Sequence, residues 1–107
     1  MKYPPDYLTE VKRIVGTQNQ CDCRHVQTVP VEEMFRGEVA WSGEVEVFEL
    51  VGHPKAKRAY AWGSYPDPQN RLKMDVTVVL EIPPVDSPQM AVKVAIAAHA
   101  RKVSPPR

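Results

Sequence analysis

The sequence predicts an α+β fold: a three- to four-stranded antiparallel sheet with a C-terminal helix packed on one face and a short N-terminal helix. Three observations carry this. Leu72 to Ile82 has the cleanest alternation in the chain, with Met74, Val76, Val78, Leu80 and Ile82 pointing one way and Asp75, Thr77, Val79 and Glu81 the other, the period of a strand. Ser87-Pro88 then opens an Ala-rich apolar segment, with a capping hydroxyl and a proline suited to the first helical position. Near the start, Tyr7, Leu8, Val11, Ile14 and Val15 fall within an arc of about 120° at helical spacing.

In chain order, Asp6 is placed to cap a helix over Tyr7 to Val15, and Gly16 suits its exit. Thr17 to Gln20 reads as a linker. A first short strand is expected from His25 to Val31, at a sheet edge because Pro30 interrupts it. Met34 to Trp41 and Glu44 to Val51 read as two strands around a Ser42-Gly43 turn. One long strand with a bulge at Gly43 is the alternative. The alternation slips between Val47 and Phe48, so apolar side chains face both ways, as a central strand requires.

Gly52 to Lys55 is the next loop, followed by a strand from Ala56 to Gly63. In a regular hairpin Val51 faces Ala56, so that Val47 meets Tyr60, Val45 meets Trp62 and Glu49 meets Arg58. Ser64 to Asn70 reads as a surface loop. Pro83-Pro84 ends the Leu72 to Ile82 strand, and the last helix runs to about Lys102. Val103 to Arg107 is expected to fray. The order is therefore α-β-β-β-β-α. Residues 1–20 form the helix and linker, and residues 21–107 form the core of a single domain.

The 107 residues suit one core, and their formal net charge of +1 gives the whole chain no strong pull toward polyanions. No apolar run reaches the length of a membrane span, and MKYPPDYLTE lacks a secretory apolar stretch, so no membrane partner and a cytoplasmic location are expected. Cys21 and Cys23 are the only cysteines. A disulfide between them closes a small strained ring, so free thiols are expected.

Three candidate sites follow. Cys21, Cys23 and His25 share a face if extended, a ligand type suited to zinc or copper(I). The spacing departs from zinc sites, which carry two or more residues between paired cysteines. His53, Lys55, Lys57 and Arg58 make a basic hairpin tip near Tyr60 and Trp62, a combination that can grip phosphates and stack bases. Against this, six of the 13 acidic residues lie between Glu32 and Glu49, beside that tip. The third candidate is the last helix. Met90, Val94, Ala97 and Ala98 occupy one side while Val92 and Ile96 lie nearly opposite, so Val92, Ile96 and His99 are expected at an oligomer interface. The small face Ala59-Ala61-Gly63 is expected to receive this Ala-rich helix.

An order of strands and helices with a basic loop between strands is similar to that of the double-stranded RNA-binding domain. Phe48 to Tyr60 resembles that family's first strand and following loop, and Ser87 to Ala100 its Ala-rich second helix. The family's lysine cluster at the start of the second helix is replaced here by Ser87-Pro88-Gln89-Met90, and the Trp41 hairpin is additional. The likeness is one of shape.

There is no Gly-rich phosphate loop, nucleophile elbow or spaced His/Glu metalloprotease pattern. The expectation is a non-catalytic protein-interaction module that self-associates, as a homodimer or with another protein, and uses no cofactor. Nucleic-acid binding and metal binding are the alternatives.

Overall fold

A computed structural model describes residues 7–64, 69 and 74–103, the last five by backbone alone. Its elements are α1 (Tyr7–Asn19), β1 (Asp22–Phe35), β2 (Glu38–Val51), β3 (Arg58–Ser64), β4 (Asp75–Leu80) and α2 (Pro88–Val103). The strands form one antiparallel sheet in the order β1-β2-β3-β4. The expected class and element order both hold. Asp6, residues 65–68 and 70–73 of the expected loop and strand, and the tail from 104 onward lie outside the described residues.

The helices lie on opposite faces of the sheet. Tyr7, Val11 and Val15 of α1 pack on Phe48, Leu50, Ala59 and Ala61, with Met74, Val76, Val78 and Leu80 around them. On the other face Ala91 and Val92 of α2 pack with Val31, Val45, Val47, Tyr60, Trp62 and Val85. Strand alternation sorts these residues: odd positions of β2 serve α2 and even ones serve α1. The small face Ala59-Ala61-Gly63 thus receives α1, where α2 was expected. The reason is steric complementarity. Valines of α1 fill the space over alanines, while the small Ala91 lets α2 approach Tyr60 and Trp62.

α1 runs a turn past Gly16. Gln20 adopts a left-handed conformation (φ 54°), the Cys21 N–H bonds the Gly16 carbonyl at 3.2 Å, and the Gln20 N–H bonds the Thr17 carbonyl at 3.3 Å. This is a Schellman stop with Gln20 in the position glycine usually holds. Gly16 sits inside the helix because a Cβ there would stand 3.1 Å from the Cys21 carbonyl oxygen.

The first hairpin turns at Arg36-Gly37, not at Ser42-Gly43. Arg36 (φ 53°) and Gly37 (φ 80°) give the two positive φ values of a type I′ turn. Gly43 lies inside β2 opposite Val31, and the register slips instead at Val26 and at Ala40. A Cβ on Gly43 would come within 2.9 Å of the Trp41 indole, so this glycine makes room for a folded-back ring. Pro30 does lie in an outer strand, as expected. The β2–β3 register also holds, with Val47 opposite Tyr60 and Glu49 opposite Arg58. Glu49 takes its ion pair from Arg24 of β1.

The expected cap of α2 is present: the Met90 N–H bonds Ser87 Oγ at 3.2 Å. Among the described residues, no helix is long and apolar enough to cross a membrane.

Candidate functional site

β1 and β2 are 14 residues each, whereas β3 pairs with Glu46 to Glu49 of β2. From Glu38 to Val45 the ladder partner of β2 is β1, so the hairpin projects as an arm. The start of α2 braces the base of that arm. Gln89 Nε2 donates to the Glu32 carbonyl at 3.1 Å and to the Glu33 carboxylate, and Lys93 Nζ lies 3.5 Å from Glu33. Trp41 closes the base against Trp62, with ring centroids 5.4 Å apart.

Beyond Trp41 the arm is bare. Every residue from Met34 to Ala40 is exposed, including Phe35 at 62%, Val39 at 53% and Met34 at 49%. Cross-strand pairing puts Met34 with Val39 and Phe35 with Glu38, so apolar groups protrude on both faces of the ribbon. The Arg36 guanidinium lies 5.1 Å from the Phe35 ring centroid. Exposed Glu32 and Glu38 and half-buried Glu44 make the arm acidic.

The basic loop lies at the other end of β2. His53 is occupied structurally: its Nδ1 accepts the Lys55 and Ala56 N–H groups at 3.1 and 3.0 Å. Arg58 belongs to β3 and is half-buried. Lys55 and Lys57 are exposed, so two of the four predicted phosphate contacts remain freely presented.

Cys21 and Cys23 line an open groove of about 930 Å³ between the end of α1 and the start of β1, together with Lys12, Arg13, Val51 and Gly52. Both are free thiols. Cys23 Sγ donates to the Lys12 carbonyl at 3.4 Å, and burial pushes its pKa up, with Lys12 partly opposing the shift. His25 turns elsewhere. Its Nε2 lies 2.9 Å from Glu46 Oε1, and the Thr28 hydroxyl donates to that same oxygen at 2.5 Å. The His25 ring also meets Phe48 edge-on at 5.4 Å. Among the described residues no three His, Cys, Asp or Glu side chains converge as metal ligands.

The sequence reading missed this His25–Thr28–Glu46 cluster. Its signal was Glu46, two positions before Phe48 on an inward face. Glu46 is 4% exposed, and two donors offset the cost of burying its carboxylate. One imidazole nitrogen faces both Thr28 and Glu46, so the three do not form a relay of nucleophile, base and orienting acid.

The helix α2 also differs from expectation. Val92 is fully buried and Ile96 packs partly buried on the same core, so the sheet covers the side assigned to an oligomer contact. The valine has turned inward because Ala91 and Val92 together face Val45, Val47 and Tyr60. The side chain of His99 lies outside the described ones.

No protein-family model, curated protein or solved structure significantly matches the chain.

Proposed function

We propose that the chain is a small non-catalytic protein-interaction module that self-associates through the tip of its β1–β2 hairpin. The observation that carries this is the two-sided apolar tip of Met34, Phe35 and Val39, held away from both cores on a braced arm. Clustered exposed apolar side chains with a polar rim mark a contact surface. A rigid phenylalanine is a suitable anchor for one. A second copy suits the acidic arm because the same chain carries exposed Lys55 and Lys57 at the opposite end of β2, and such opposition favours encounter.

Sedimentation velocity across a micromolar concentration series tests the proposal. The expected result is mass that rises with concentration, falls with added salt, and stays monomeric in Phe35→Ser. A wild-type chain that is monomeric throughout, or a Phe35→Ser variant that associates equally well, overturns it.

A further inference from the structure

We infer that the groove lined by Lys12, Arg13, Cys21, Cys23 and Val51 is the acceptor for the hairpin tip of a second copy. This rests on the reading of the tip as the associating surface and names what receives it. The groove and the tip lie at opposite ends of β2, because Val51 is its last residue and Glu38 its first. β2 is one continuous strand of 14 residues, so one copy cannot bring its own tip into its own groove.

The two surfaces match in chemistry. Val51 is 56% exposed and, with the half-buried thiols, gives the groove apolar surface for Phe35. Exposed Lys12 supplies positive charge facing an arm that carries Glu32, Glu38 and Glu44, while the guanidinium of Arg13 is paired with Glu10 at 2.6 Å. Exposed Asp22, which also lines the groove, is a partner for Arg36.

A tip that docks into a different surface forms a heterologous contact, which continues from copy to copy as a ring or open chain. Association is therefore not limited to a dimer. The cysteines provide a local reporter, since docking covers the groove and slows thiol alkylation.

The experiment uses three full-length proteins: wild type, Phe35→Ser (intact groove) and the double variant Lys12→Glu, Val51→Glu (intact tip). All changed positions are exposed, and circular dichroism confirms that each variant folds. Each variant alone is expected to be monomeric, with self-association weakened about tenfold or more. Mixed, they form a 1:1 complex that grows no further, because each contributes one working surface. Iodoacetamide modification of Cys21 and Cys23 slows with concentration in wild type and in the mixture, and not in either variant alone. If Phe35→Ser is monomeric while the groove variant still associates, the groove assignment falls and the hairpin reading stands as a tip-to-tip contact. Failure of the mixture to form the complex also overturns the groove. Association that survives Phe35→Ser removes both.

Discussion

The Gly63 N–H donates to the Tyr7 hydroxyl at 2.8 Å, tying the first turn of α1 to β3. The contact needs a glycine: a Cβ at position 63 would lie 2.9 Å from Tyr7 Cε1 and 2.6 Å from Met74 Sδ. Gly63→Ala is therefore expected to destabilise the fold by about 1–3 kcal/mol through overpacking. Tyr7→Phe costs about 1 kcal/mol through the lost bond. Thermal unfolding of the two variants reads both effects.

Gln20 holds a backbone conformation that glycine adopts without steric cost. Gln20→Gly is expected to stabilise the chain by about 0.5–1 kcal/mol. Gly16→Ala brings no comparable gain, although alanine ordinarily favours a helix interior, because its Cβ would crowd the Cys21 carbonyl. Urea midpoints at constant slope measure the contrast.

His53 organises the β2–β3 loop through its Nδ1 acceptor. Asparagine can offer an oxygen to the N–H two residues on, so His53→Asn retains the loop. His53→Ala loses about 1 kcal/mol. Equal stability of the Asn and Ala variants in chemical denaturation would contradict this role.

Tyr60 is 2% exposed, and its hydroxyl donates to Glu81 Oε2 at 2.6 Å. Burial first, then the bond and charge of Glu81, raise its pKa far above the ordinary phenol. Because the fold disfavours the phenolate, the stabilisation is present in full below the unfolded pKa of about 10. It is lost as pH rises from there toward the folded value. Stability should decline above pH 10 with a contribution of up to about 1.4 kcal/mol per pH unit, and Tyr60→Phe should flatten that decline.

The parts legible from sequence were those fixed by near neighbours. The β2–β3 register follows from a short loop and sensible opposing pairs, and the α2 cap from Ser87-Pro88. Turns and stops were misread where glycine was not in its usual place. Arg36-Gly37 lacks the Asn or Asp that announces a type I′ turn, and the helix stop sits on Gln20 while Gly16 lies inside. Which helix takes which face depends on how valines and alanines fit across the sheet, and side-chain alternation is silent on that. The bare tip was hidden for a different reason. Met34 and Phe35 look like ordinary strand residues, and their exposure follows from the shorter reach of β3. The approach of His25 to Glu46 follows the extra residue at Val26, which a strict alternation cannot contain.

The unequal lengths of β2 and β3 divide one hairpin into two kinds of backbone. From Glu46 to Glu49, β2 has ladder partners on both sides, so its amide hydrogens exchange only through large openings. At Glu38 and Val39 the pairing is with β1, beyond the Trp41–Trp62 contact, and the ribbon can unzip from Gly37 inward without disturbing either core. Deuterium uptake should therefore be fast at the tip and slow at the centre of the same strand. Self-association would appear as slowed exchange at the tip, with the amides of β3 unchanged.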